Sequence, residues 1–599
     1  MRGSLRAVAG LCLLVVALGG AAPALAANYE LAIEAPEQLV EPLRSRTLLG
    51  RWIDEPGFES GQLPLFVERA RDEAAAIVRA AGYFSARVAV TLEDAAAAGL
   101  PRVRIAVDAG ARTTVNRFDL GIDGPPAAQA MRESLLDRWP LPEGSFFLST
   151  DWEQGKRLLV DVLQQRGFVR ARVVASRAEV DPALTAAALT LRIDSGPRLA
   201  FGPTTIRGLQ RYDRSIVEAL QPWAPALDAR AGGGDPYSFD ELLTFQARLR
   251  ASGYFNSVDV LPDLATVEAD PARTAVPVLV EVTERKTQRA MFGIGYSSDE
   301  GARGLLGYEH RNLLGRGWQL ESGVLWQSVR GRAFASVRTP QKASGHYYQT
   351  GVRVERFDVQ GELTDKQTVF VGQGKHADDT ETFLSLQYQI EQRELPLAIE
   401  TDRRRALTLG YAWNRRRLDS SVDPRSGYSI SAQVSGAARG VGSDRSFARL
   451  YTRVMRFWPI PRESSLGDGL LVGLVEVGYV LADSRQDIPS ENLFRTGGTQ
   501  SIRGYSYLSL GVPEAGAIVG GRALALASLE YQHPITPDWY GAAFVDVGNA
   551  VDRWADYRAL WGYGAGVRWR SPIGPVSLDL AYGEAVRQWR LHLSVGYAF

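Results

Sequence analysis

The chain has 599 residues, 68 basic and 68 acidic side chains, 60 glycines and one cysteine. That length exceeds what a single hydrophobic core holds, so at least two folding units are expected. Balanced charge gives no support for a nucleic-acid partner, and beyond the first residues no apolar run reaches the roughly 18 residues of a spanning helix, which excludes a helical membrane protein.

Residues 1–26 read as an export signal. Arg2 and Arg6 supply the basic start, Leu11 to Leu18 the apolar stretch, and Ala24-Leu25-Ala26 the small-residue cleavage site. Cys12 lies inside the apolar stretch and not at its end, which argues against lipidation. The mature chain is then without a thiol, so neither a disulfide nor a cysteine-bound metal is expected.

Three segments repeat at a nearly constant interval: Gly82-Tyr83-Phe84 with Val88 and Val90, Gly167-Phe168-Val169 with Val173, and Gly253-Tyr254-Phe255 with Val258 and Val260. Such a spacing marks tandem domains. Each glycine follows a predicted helix and opens a strand, because glycine past a helix end takes positive φ at no steric cost. Thr150 and Glu153, and again Ser238 and Glu241, have capping-box spacing. Trp152, Leu159 and Val162 share one helical face, as do Leu242, Phe245 and Leu249. A second strand closes each unit at 103–107, 189–193 and 278–282, giving the order β-α-α-β-β.

This order and the glycine-aromatic opening resemble the POTRA (polypeptide-transport-associated) domain, over residues 28 to 286. The resemblance implies three modules, at 27–111, 112–197 and 198–286. A small sheet covered by helices on one face leaves edge strands, which can take up an extended peptide.

From 287 to 599 the texture changes to short strands of period two. Trp561, Tyr563, Ala565, Val567 and Trp569 alternate with Gly562, Gly564, Gly566, Arg568 and Arg570. Val576, Leu578, Leu580 and Tyr582 alternate with Ser577, Asp579 and Ala581, and Leu591, Leu593, Val595, Tyr597 and Phe599 with His592, Ser594, Gly596 and Ala598. One face is apolar with aromatic ends, and the other is glycine or charge. Predicted strands of about 9 to 11 residues, aromatics at their ends and arginines on the opposite face favour a transmembrane antiparallel β-barrel over a soluble sandwich. The length accommodates about 14 to 18 strands.

The stretch from Phe494 through Gly497, Gly498, Ile502, Arg503 and Gly504 to Tyr505 resembles the long-loop signature of the superfamily of BamA, TamA and the two-partner secretion transporters. Phe544-Val-Asp546-Val-Gly548 looks like its Phe-x-Asp-x-Gly strand motif. Gly564-x-Gly566-x-Arg568-x-x-Ser571-Pro572-x-Gly574-Pro575 resembles its final strand-turn-strand, and Asp423 to Tyr428 a mid-barrel segment. The resemblance implies sixteen strands and a loop folded back into the lumen, its arginine meeting acidic wall residues. Phe544 and Asp546 share a face, which must be lumenal because lipid penalises an aspartate. We therefore expect Arg503 to pair with Asp546, with Glu530 as a second partner. Three modules match the TamA branch, whose inner-membrane-anchored partner is TamB.

That resemblance implies a factor that assembles or translocates autotransporters and other unfolded outer-membrane proteins, working in outer-membrane lipid with its arm in the periplasm. A seam between the first strand, 288–297, and the last, 590–599, would carry the activity. Gly293, Gly295, Gly596 and Phe599 lie on it, and glycine weakens strand pairing. The alternatives are a two-partner secretion transporter, which threads a polypeptide through its lumen, and a passive pore. No Gly-x-Ser-x-Gly, no His-Glu-x-x-His and no cysteine pair is present in the mature chain, so neither enzymatic activity nor a cofactor is expected. The five histidines, His310, His346, His376, His533 and His592, are scattered.

Overall fold

The computed structural model describes residues 28–595 apart from 56–57, 94–99, 227–232, 421–422, 465–466 and 572–573. The signal assigned to 1–26, and with it Cys12, lies outside the described residues, as do Pro572, Gly596 and Phe599.

The first module runs β1 (Glu30–Glu34), α1 (Glu37–Arg46), α2 (Leu48–Arg51), α3 (Leu63–Ala80), β2 (Arg87–Glu93) and β3 (Arg102–Asp108). The last strand is central: β1 lies parallel and β2 antiparallel to β3. Alternation along β3 buries Val103, Ile105 and Val107, which share one core with the Ala70, Ala74 and Val78 stripe of α3. The second module repeats the plan with β4 (Thr114–Asp123), α4 (Pro126–Gln129), α5 (Arg132–Leu136), α6 (Ser149–Gln165), β5 (Arg172–Asp181) and β6 (Ala186–Asp194), in sheet order β4-β6-β5. The third comprises β7 (Ala200–Arg207), α7 (Ser215–Glu218), α8 (Phe239–Ala251), β8 (Phe255–Pro262), α9 (Leu264–Ala269) and β9 (Ala275–Glu284), in order β7-β9-β8.

Gly82, Gly167 and Gly253 end α3, α6 and α8 with φ of +92°, +99° and +82°, the left-handed region that stops a helix. Two details depart from the sequence-based expectation. The capping box at Thr150 is not formed: α6 begins one residue earlier, and the Thr150 hydroxyl turns to Asp151 while Glu153 pairs with Lys156. The third module also inserts α9 between its last two strands, started by Asp263, whose carboxylate accepts the Thr266 N–H.

Sixteen antiparallel strands then close a barrel. They are β10 (Gln288–Ser297), β11 (Gly301–Leu313), β12 (Trp318–Gln327), β13 (Arg330–Arg338), β14 (His346–Val359), β15 (Glu362–Ala377), β16 (Thr380–Glu394), β17 (Asp402–Leu418), β18 (Gly427–Ala437), β19 (Phe447–Ile460) and β20 (Gly469–Leu481). After a long loop holding the hairpin β21 (Val512–Glu514) and β22 (Ala517–Val519) come β23 (Ala523–Pro534), β24 (Trp539–Val551), β25 (Leu560–Ser571), β26 (Gly574–Gly583) and β27 (Gln588–Val595). The outer face exposes Phe292, Ile294, Trp326, Val371, Leu409 and Leu591, a surface that only lipid would cover favourably. The four strands β14 to β17 run 14, 16, 15 and 17 residues, longer than expected. Their surplus is polar, with Arg356, Asp365, Gln392 and Arg403 exposed.

One mouth of the barrel is defined by the third module. The Tyr254 hydroxyl donates to the Gly317 carbonyl (2.6 Å), the Asn312 amide to Arg211 O (2.8 Å), the Gln319 amide to Ser252 O (3.0 Å) and Ala343 N to Ala219 O (2.6 Å). The long loop leaves β20 at the opposite mouth.

Candidate functional site

The loop between β20 and β23 fills the lumen because its polar groups find ionic partners on the inner wall. Glu491 receives Arg353 (2.6 Å), Ser490 gives its N–H and hydroxyl to Glu391, and Arg495 meets Glu362 (3.0 Å). Glu514, in β21, accepts both Arg393 and Arg485, and the Arg404 guanidinium donates to Ile488 O (2.8 Å). Arg353, Glu391, Arg393 and Arg404 occupy wall positions that alternation turns inward, whereas Arg485 belongs to the loop itself. Ile502 and Tyr505 are buried with Leu524, Leu526 and Ala550, so the loop also carries an apolar anchor.

At the tip, Arg503 is 5 % exposed and Asp546 fully buried. The guanidinium grips Asp546 with two prongs, Nε to Oδ2 at 2.8 Å and Nη2 to Oδ1 at 2.9 Å, and the Arg503 backbone N–H adds a third bond to Oδ2 at 3.0 Å. Nη1 donates to Glu530, and the guanidinium carbon lies 3.4 Å from the Phe544 ring centroid. Ser528 donates its hydroxyl to Asp546 (2.6 Å). Bidentate pairing with stacking on an aromatic face is a geometry that only arginine supplies.

Two further charges complete the cluster. Arg568 on β25 bonds Glu530 (2.7 and 3.1 Å) and Asp579 on β26, and Asp579 lies 3.6 Å from Arg503. Two guanidiniums thus face three carboxylates, all nearly water-free. From sequence, Arg568 stands as an alternating polar position and in the final strand-turn-strand motif, Asp579 as an alternating polar position alone, and neither is expected beside Arg503. That alternation was the available signal, since a charge between Val567 and Trp569, or between Leu578 and Leu580, must point into the lumen.

Backbone contact needs space as well as charge. Gly504 has φ +91°, and a Cβ there would meet Gly583 N at 2.6 Å. A Cβ at Gly562 would meet Arg503 O at 2.0 Å, and one at Gly564 would meet the Phe544 ring at 2.8 Å. Gly562 is therefore the floor on which the loop tip rests, and Gly564 leaves room for the Phe544 ring against which Arg503 stacks. Gly548 serves strand packing, with a Cβ there only 2.5 Å from Leu526 Cβ. Tyr505 donates to Trp561 O (3.0 Å), and Gly504 N–H donates to the His592 imidazole Nε2 (2.9 Å). His592 is 1 % exposed; no spacing in the sequence linked it to the loop.

At the seam the described pairs are Tyr296 with Val595 and Ser297 with Ser594, at the end of β10 away from the third module. Gly293 and Gly295 lie on the lumenal face of β10. A Cβ on Gly295 would sit 2.4 Å from the Arg303 side chain, which crosses above it to reach Val595 O. Gly295 thus makes room for a cross-seam contact. Gly596 and Phe599 are outside the described residues, so their placement on the seam is an expectation from sequence.

A family model, the Omp85 superfamily domain, matches residues 286–599. The outer membrane protein assembly factor BamA of Nitratidesulfovibrio vulgaris is 25% identical over 390 residues, 61% of this chain and 46% of that protein. The chloroplastic outer envelope protein 80 of Arabidopsis thaliana is 32% identical over 114 residues, 17% of this chain and 14% of that protein. The chain therefore spans about half the length, or less, of these relatives. Among solved structures, BamA from Haemophilus ducreyi lacking POTRA domains 1–3 superposes with a TM-score of 0.62 at 19% identity, covering 81% of this chain and all of that one, and so shares the fold. With a barrel of sixteen strands, a loop arginine buried against wall carboxylates and a family match across more than half its length, this chain belongs to the Omp85 superfamily.

Proposed function

We propose that the chain is an outer-membrane factor that assembles or translocates other β-barrel proteins, autotransporters among them, through the seam between β10 and β27. The observation that carries this reading is the fastened loop. Ion pairs and hydrogen bonds tie it to β14, β15, β16, β17, β23 and β24. A polypeptide threading the lumen would have to break them together, and parting those at Glu362, Glu391, Glu530 and Asp546 leaves buried charges short of a partner at several kcal/mol. An incoming strand at the seam displaces only β10–β27 pairing and supplies backbone partners in exchange. This favours lateral insertion over two-partner secretion and over a passive pore.

Three modules support a TamA-like role, with the arm in the periplasm, a TamB-like inner-membrane-anchored partner and unfolded outer-membrane proteins as substrates. A disulfide between Ser297→Cys and Ser594→Cys, which stand opposite each other, tests the seam. The only native cysteine is Cys12, so the engineered pair forms without competition. Oxidised protein in proteoliposomes should fail to insert an autotransporter substrate, and reduction should restore insertion. Undiminished insertion by the oxidised form would overturn the lateral route, and large stable conductance steps would point to a pore.

A further inference from the structure

The long loop touches both sides of the seam within one short stretch. On the first-strand side, Thr499 donates its N–H and its hydroxyl to the same oxygen of Asp299, both at 2.7 Å, and Asp299 sits in the turn joining β10 to β11. A Cβ on Gly498 would be 2.5 Å from that oxygen, so the carboxylate lies flat on the loop backbone. Tyr507 adds a bond to Glu300 of the same turn (3.3 Å).

On the last-strand side, Gly504 donates to His592 of β27, and the Tyr505 hydroxyl accepts from Ala585 N (3.2 Å) in the turn between β26 and β27. Because His592 Nε2 accepts a hydrogen bond, a neutral ring carries its proton on Nδ1. That atom faces Asp299 at 3.7 Å and has no hydrogen-bond partner among the described residues. Ser298 and Leu593 meet directly beside it (N to O, 2.9 Å).

From this we propose that Thr499 to Gly504 is a strap across the seam at the mouth remote from the third module, with Asp299 and His592 as the residues it holds. The two grips belong to one covalent segment, so that end cannot part unless a grip lets go. The seam then opens from the third-module end, hinged at the strap. An incoming strand is admitted from that side, and insertion is complete only when a grip lets go and the pairs next to the strap, Ser297 with Ser594 among them, part in turn. Asp299 and His592 are positioning residues: they set how far the wall opens, and they touch no substrate.

The inference rests on the lateral reading above, but its test is physical. Paired spin labels at Trp326→Cys and Tyr582→Cys report the width at the strapped mouth, and labels at Leu320→Cys and Val576→Cys the width at the third-module end, by electron-spin distance measurement in lipid nanodiscs. The strapped-mouth distance should be narrow in otherwise native protein. It should shift to longer values and broaden in Asp299→Ala/Thr499→Val, and return in Asp299→Glu/Thr499→Ser. Where the alanine–valine protein does not fold, two glycines inserted between Gln500 and Ser501 lengthen the strap without deleting a contact and should produce the same shift. A strapped-mouth distance unchanged in the variant that folds, or already as broad as the other end in native protein, overturns the strap. If the variants widen this mouth while the oxidised 297–594 disulfide still inserts substrate, the strap stands and the functional reading fails. If the disulfide blocks insertion and the mouth does not widen, the reverse holds.

Discussion

Arg568 on β25 reaches across β24 to grip Glu530 on β23, Nη2 to Oε2 at 2.7 Å and Nε to Oε1 at 3.1 Å. The same guanidinium holds Asp579, so two of the three carboxylates around Arg503 depend on a second arginine. With two cations against three anions, losing a cation is worse than losing an anion. Arg568→Met should destabilise the barrel by about 3–5 kcal/mol, the range for orphaning buried charges, whereas Asp579→Asn should cost clearly less. Denaturant midpoints read from the shift in electrophoretic mobility between folded and unfolded barrel decide this. Equal losses for the two variants would refute the charge imbalance.

Arg503→Lys is the corresponding test at the loop. A lysine ammonium cannot make the two parallel bonds to Asp546, reach Glu530 and stack on Phe544 together. We expect a folded barrel whose loop is cleaved by protease added to intact proteoliposomes, while the native loop resists. Asp546→Asn should give the same cleavage from the other partner. Resistance in both variants would show that the apolar anchor of Ile502 and Tyr505 and the ion pairs of Arg353, Arg393 and Arg495 hold the loop without the Arg503 grip.

Much of this was legible in the amino-acid pattern, and the gaps have physical causes. Alternation put Asp546, Glu530, Arg568 and Asp579 on one face because a strand has period two and lipid tolerates no charge. Glycine after each helix marked the three modules for a backbone reason that needs no partner. The grip of Thr499 on Asp299, and of Gly504 on His592, joins positions remote in sequence through a backbone N–H, and a donor that every residue but proline carries leaves no trace in composition. The failed capping box at Thr150 shows the opposite error: the spacing was right, but a helix that starts one residue early moves the threonine inside the first turn.

Gly504→Ala should separate loop position from barrel stability. The residue is left-handed, and the added methyl would press on the Gly583 backbone at 2.6 Å, which cannot yield as a flexible side-chain end would. The tip must lift, breaking the bond to His592. Because the ion pairs of Arg353, Arg393 and Arg495 remain, the barrel should still fold. Substrate insertion should fall by about tenfold or more, the effect of roughly 1.4 kcal/mol at the transition state. Normal insertion would show that the tip position is not used.

Glu284, at the end of β9 just before the barrel begins, makes the last prediction. Burial pushes its carboxyl up, but the backbone N–H groups of Tyr212, Gln210 and Arg211, with the Arg211 charge, outweigh burial and hold it below its ordinary value of 4.5. A group depressed in the folded state adds stability above its unfolded pKa and loses it as pH falls through the folded one. Segment 210–212 should therefore stay fastened at neutral pH and loosen only below about 4.5. Asn312 fixes Arg211 O to the barrel turn, so loosening here frees that part of the third module. Hydrogen exchange at the Gln210, Arg211 and Tyr212 amides, corrected for the intrinsic rate at each pH, should show native protection at pH 7 and its loss near pH 3. Glu284→Gln should lack the extra protection throughout and show no such pH step, because an amide does not titrate. A step that persists in the glutamine variant would assign the acid sensitivity to another carboxylate.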